Sequence, residues 1–181
     1  GDHSLAVGSI SAVARHCRAA GKELRVLWLD AHADFNTPAT SPSGNVHGIP
    51  VASLCGLGPA ELAGLAGFAP ALARQSLCQI GLRSVDEQEK QLIKTHDIEV
   101  YDMRAVDELG MREVMARALA PLAGASAAHT HLHVSFDVDF LDPEIAPGTG
   151  TTVRGGPNYR EAQLCMEMIA DTGLLGSLDI V

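Results

Sequence analysis

The chain reads as an α/β domain of three layers, with helices on both sides of a mostly parallel β-sheet. Short apolar runs suited to buried strands alternate with segments of helical period, and the acidic residues gather directly after two of those runs. At 181 residues the length fits a single domain spanning 1–181.

The elements follow in order. Leu5, Val7, Ile10, Val13, Ala14 and Cys17 form an apolar stripe at helical spacing over 4–20, closed by Gly21. Leu24 to Leu29 is a strand of the buried parallel kind. The turn-forming residues of 35–48 predict a long loop leaving its carboxyl end. A short helix is expected over 49–57, and the Ala-, Gly- and Pro-rich stretch 58–73 stays unassigned. Strands follow at 77–82 and 98–101, with a charged helix between them at 86–96. A helix is expected over 106–122, a strand over 132–138, a Pro- and Gly-rich loop over 142–157 and a helix over 159–171. The run Leu178 to Val181 reads as a half-written strand, so both ends look cut.

Composition narrows the function classes. With 13 Lys and Arg against 22 Asp and Glu, the net charge of −9 provides no basic surface for nucleic acid. Cys17, Cys55, Cys78 and Cys165 are scattered without a CxxC pair, as expected of reduced thiols in a cytoplasmic protein. Apolar stretches are interrupted too soon to cross a bilayer, so no membrane partner is expected. Gly148-Thr149-Gly150-Thr151 lacks the Gly-Lys-Ser/Thr ending of a phosphate loop, and no strand, glycine loop and helix follow in the order a dinucleotide site needs.

Chemistry concentrates in two places. Asp30-Ala31-His32-Ala33-Asp34 follows one strand, and Asp137-Val138-Asp139 ends another. Residues two apart share a face of extended backbone, so each set converges if the strand geometry continues. Grouping such acids beside an apolar sheet is costly through desolvation and repulsion unless a positive charge sits among them. Ligation rich in oxygen with a minority of imidazole favours Mn²⁺ and leaves Zn²⁺, Co²⁺ and Fe²⁺ as alternatives.

These motifs, with Gly1-Asp2-His3-Ser4 and Leu141-Asp142-Pro143, resemble those of the arginase and agmatinase family of ureohydrolases, in the family's order along the whole chain. The resemblance implies an eight-stranded parallel sheet of which this chain lacks the N-terminal strands. It also implies two Mn²⁺ ions, one held by His3, Asp30, Asp34 and Asp137, the other by His32, Asp30, Asp137 and Asp139. A metal-bridging hydroxide would attack the guanidinium carbon, with Asp34 orienting it and receiving its proton, and His47 would shuttle protons to solvent.

The Asn36-Thr37-Pro38 run and the block from Ser43 to Gly48 resemble the arginase branch, which implies hydrolysis of L-arginine to L-ornithine and urea. In that branch Asn36, Ser41, Ser43 and Asn45 would receive the α-carboxylate, Asp86 the α-ammonium, and Thr151 would stand near the guanidinium pocket. Agmatine or another guanidinium compound is the rival substrate, and a non-catalytic metal-binding or assembly fragment the rival class. The resemblance further implies a homo-oligomer, trimer or hexamer, and a family glutamate immediately past Val181.

Two features are not settled by pattern. Phe140 stands where the family commonly has Gly or Ala, and its ring either narrows the pocket or packs outward. His131 and His133 share the face of Asp137, but the family pattern does not make them direct ligands; His133 has either a supporting or a core role.

Overall fold

The computed structural model describes residues 2–181; Gly1, which opens the Gly-Asp-His-Ser motif, lies outside them. Five parallel strands, β1 (Glu23–Leu29), β2 (Leu77–Ile80), β3 (Glu99–Tyr101), β4 (Thr130–Phe136) and β5 (Leu175–Ile180), form one sheet in the order β3-β2-β1-β4-β5. The chain moves outward from the central β1 through β2 to β3, then returns to the other side of β1 for β4 and β5. The carboxyl ends of β1 and β4, at the centre of the sheet, therefore stand side by side, and Leu29 pairs with Phe136. Loops leaving adjacent central strands in this way create the crevice where open α/β sheets bind ligands.

Helices cover both faces. Alternation along β1 sends Val26 and Trp28 to one face and Leu27 and Leu29 to the other. The first face packs against α1 (Leu5–Ala20) and α2 (Pro50–Leu54), with Leu92 and Ile93 of α4 (Glu87–Thr95) beside them, while the short α3 (Ala60–Ala63) lies against α2. On the second face Val106 of α5 (Met103–Leu109), Val114 and Met115 of α6 (Met111–Leu119) and Cys165 and Ile169 of α7 (Tyr159–Asp171) complete the other core. All four cysteines are unpaired and buried, in keeping with their scatter. Among the described residues no helix is long and apolar enough to cross a membrane.

Several expectations shift. The helix predicted over 106–122 is two helices and a 3-10 turn, because Gly110 takes φ 82°, outside the helical region. Asp102 caps the first of them through Ala105 N–H, which moves its start to Met103. The last strand begins at Leu175, earlier than the apolar run suggests; on this edge strand Leu175, Leu178 and Ile180 are exposed while Ser177 and Asp179 are half-buried, so hydrophobicity does not mark its start. Phe140 neither narrows the pocket nor packs outward. Its ring is fully buried in the second core, edge-on to Phe136 at 5.6 Å. It occupies the space left by Gly81, where a Cβ would come within 2.4 Å of the ring.

Candidate metal centre

Neither acidic cluster is extended strand, which corrects the geometry expected of them. β1 ends at Leu29 and β4 at Phe136, and the acids lie in the turns beyond. The convergence comes from carboxylates capping their own turns. Asp30 Oδ1 accepts from His32 N–H at 2.7 Å, and Asp137 Oδ1 accepts from Asp139 N–H at 2.8 Å, opening a 3-10 turn at Val138–Phe140. Asp34 has φ 51°, a left-handed conformation uncommon outside glycine. Ala31 N–H then donates to Asp139 Oδ1 at 3.2 Å and joins the two turns.

His3 arrives from the start of α1. Its Nδ1 stands 2.8 Å from Asp30 Oδ2, 3.3 Å from Asp137 Oδ2 and 3.6 Å from Asp34 Oδ2. The ring stacks on Trp28 with centroids 3.8 Å apart, and Nε2 meets Ser135 Oγ at 2.8 Å. Trp28 Nε1–H also donates to Asp30 Oδ2 at 2.9 Å. His32 Nδ1 lies 3.4 Å from Asp30 Oδ1 and 3.1 Å from Asp139 Oδ2. Two groups result, His3 with Asp30 and Asp34, and His32 with Asp30 and Asp139, each with candidate ligand atoms within 4.8 Å of one another. Asp30 belongs to both.

The electrostatics match a cluster built around added positive charge. Burial pushes His3 and His32 toward neutrality, but the facing carboxylates outweigh it and raise them to about 9 and about 10. Burial likewise opposes ionisation of Asp30, and hydrogen bonds from His3 and His32 overturn that and hold it well below the usual carboxylate range. Asp34, buried and close to Asp30, is pushed well above that range. Without an ion the cluster retains protons on its imidazoles; with divalent ions that charge comes from the metal, and both Nδ1 atoms already face the carboxylate oxygens. The donor set, carboxylate oxygens with two imidazole nitrogens, fits Mn²⁺.

A titration consequence follows. The folded values of His3 and His32 lie above the unfolded 6.5. In the metal-free protein their contribution to stability is complete below pH 6.5 and is lost as pH rises through about 9 and about 10. At pH 8 both imidazoles carry the proton that a metal must displace, so filling the site should release protons, at least about two in number from these nitrogens alone. Calorimetry of Mn²⁺ binding in buffers of different ionisation heat measures this. Uptake without proton release would mean that these nitrogens are not ligands.

The cluster floors a cavity of about 700 Å³ whose rim carries most of the other expected residues. Asn36, Ser41, Ser43, His47, Asp86 and Thr151 all line it, while Asn45 is exposed outside its lining. Asn36 Nδ2 donates to Asp86 Oδ2 at 2.7 Å. Burial opposes charge on Asp86, but Asn36 and the backbone amides of α4 prevail and keep its carboxyl below the ordinary value. Thr151 Oγ1 donates to Asp139 Oδ2 at 2.9 Å. His131 bonds to Ser177, and buried His133 to Ser177 and Asp179, so the partners of both lie on β5.

Some residues at this site escaped the sequence reading. Trp28 and Ser135 carried a signal, since each lies two positions before an acid at a strand end. Glu89 lines the cavity, and its Oε1 accepts from Phe35 N–H at 2.8 Å; burial raises it to about 7. Its place three residues after Asp86, in the first turn of α4, resembles an ordinary capping position and gave no warning.

A carboxylate and imidazole cluster compatible with two metal ions, set at the central carboxyl ends of a parallel sheet, defines an α/β metal-site domain. Comparison with known proteins makes this specific. The family model described as the Arginase family matches residues 1–181, and the chain belongs to that family. It is 46% identical to the arginase of Brucella melitensis biotype 1 over 185 residues, covering all of this chain and 58% of that protein. The native structure of arginase from Bacillus caldovelox superposes with a TM-score of 0.92 at 44% identity, covering 100% of this chain and 58% of that one. The Entamoeba histolytica arginase in complex with L-ornithine gives 0.88 at 34% identity, over 100% and 59%. The chain thus spans somewhat under three fifths of the length of these relatives.

Proposed function

We propose that the chain carries the catalytic centre of a metal-dependent hydrolase that converts L-arginine to L-ornithine and urea. The observation that carries this reading is the convergence of His3 and His32 Nδ1 on shared Asp30 at the floor of an open cavity. His3, Asp30, Asp34 and Asp137 would hold one ion, and His32, Asp30, Asp137 and Asp139 the other. When bound, two Mn²⁺ ions would offset the clustered negative charge and lower the pKa of water toward neutrality.

The chain's own groups do the rest. Asp34, buried at the floor of the cavity, takes the proton of the attacking water as its oxygen bonds to the guanidinium carbon. The bond from that carbon to the side-chain nitrogen then breaks, and Asp34 gives the proton to the departing amine. Atoms balance as arginine plus water giving ornithine and urea. His47, half-buried at the rim, exchanges protons between this centre and solvent. Thr151 faces the guanidinium end. Asp86, held by Asn36, meets the α-ammonium, while Asn36, Ser41 and Ser43, with Asn45 from the exposed end of the loop, receive the α-carboxylate. The L-ornithine in the Entamoeba relative's structure supports an amino acid product. Assembly as a homo-oligomer, trimer or hexamer, in the cytoplasm completes the reading.

Turnover of L-arginine, agmatine and guanidinobutyrate by the Mn²⁺-loaded protein tests it. A loop built for a carboxylate predicts kcat/KM for arginine at least about 100-fold above agmatine. Comparable turnover of agmatine would shift the assignment to a simpler guanidine, and no turnover of any of the three, with metal bound, would favour a binding or assembly role.

A further inference from the structure

We infer that Arg83 is a positioning residue that fastens Asp139 and Thr151 in place for the ion on the His32 side. The inference rests on the binuclear reading of the site.

Arg83 follows β2 and reaches no carboxylate; its guanidinium is spent on backbone carbonyls. Nη2 donates to Asp139 O at 2.7 Å, to Leu141 O at 3.2 Å and to Val153 O at 2.8 Å. Nη1 donates to Phe140 O at 3.1 Å and Gly81 O at 3.2 Å, and Nε to Val153 O at 3.1 Å. Three successive carbonyls of the turn that carries Asp139 thus point at one cation. The backbone of the same segment holds the other acidic turn, since Arg83 and Ser84 N–H both donate to Ala31 O, at 2.9 and 3.0 Å. Arg83 therefore spans the two loops whose side chains, His32 and Asp139, stand 3.1 Å apart.

It acts on Asp139 by a second route. Val153, gripped by Nε and Nη2, lies two residues beyond Thr151, whose hydroxyl donates to Asp139 Oδ2. Gly156 shows how closely the chain is drawn in, because a Cβ there would come within 2.6 Å of Arg83 Nη2 and 2.7 Å of Phe140 O. A planar fork with five N–H donors can serve acceptors on three segments at once. Lysine, a point charge on a flexible stem, cannot. His3, Asp34 and Asp137 make no side-chain bond to Arg83 among those described, so the His3 side keeps its own supports in Trp28 and Ser135.

The test is Mn²⁺ binding by calorimetry, with electron paramagnetic resonance to distinguish a spin-coupled pair from isolated ions. It compares the unsubstituted protein with Arg83→Met and Arg83→Lys, each checked for native circular dichroism. The unsubstituted protein should bind two ions. Both variants should keep one with near-normal affinity and bind the other about 10- to 100-fold more weakly, the range for groups that orient metal ligands. At ion levels that fill the normal pair, the coupled spectrum should give way to that of isolated Mn²⁺. If Arg83→Met does not fold, Arg83→Lys, which keeps stem and charge, decides alone. Unchanged affinity for both ions, or equal weakening of both, overturns the inference while leaving the binuclear reading intact. Fewer than two ions on the unsubstituted protein overturns that reading, and this inference with it.

Discussion

Asp30→Asn should lower arginine hydrolysis by well over 100-fold, and no other single change near the cavity should do more. Groups that merely orient metal ligands are worth about 10- to 100-fold in metal affinity or activity. Asp30 exceeds that role because both histidines address it, His3 through Oδ2 at 2.8 Å and His32 through Oδ1 at 3.4 Å. It is also fully buried, so water cannot substitute for a lost oxygen. Asparagine keeps the volume and an acceptor but places an NH₂ where a ligand oxygen belongs, and it removes the charge that raises both imidazoles. Turnover and Mn²⁺ content measured together check this. A folded Asp30→Asn protein that retained both ions and a tenth of its activity would contradict the placement of Asp30 at the centre of the site.

Phe140→Ala should cost about 3–5 kcal/mol of stability, the usual range for removing a large aromatic from a packed core. The ring is fully buried and edge-on to Phe136. Gly81→Ala should also destabilise, for two reasons. Its φ of 94° is strained for any residue with a Cβ, and that Cβ would meet the Phe140 ring at 2.4 Å. In the double variant the collision disappears, leaving the backbone strain at position 81 and the lost packing of the ring. Its loss should therefore fall short of the sum of the single losses, by about 0.5–3 kcal/mol for residues in contact. Urea unfolding of the four proteins measures the cycle; additive losses would show that ring and glycine do not share the same space.

What the residues disclosed depended on how local the physics was. Strand β1 was readable because it is apolar on both faces, as a doubly covered parallel sheet requires, whereas β4 places Leu132 and Val134 in one core and turns His131, His133 and Ser135 to the other face. The start of helix α7 is marked in the sequence because Asn158 and Glu161 form a capping box. The approach of Asp30 to Asp137 was expected from strand ends, but the means was misjudged. Each carboxylate turns its own backbone, and that depends on side-chain hydrogen bonds which the period-two pattern does not encode. The inward packing of Phe140 was illegible because its partner, Gly81, lies 59 positions away and contributes only empty space. Arg83 was hidden for a related reason, since the carbonyls it binds leave no mark on residue type.

Anomalous diffraction at the manganese edge, from crystals of the protein soaked in MnCl₂, tests the central claim most directly. Two peaks about 3.5–4 Å apart, one against His3 and one against His32 with Asp30 between them, are the predicted result. A single peak elsewhere, or no peak among these side chains at full soaking, would contradict it.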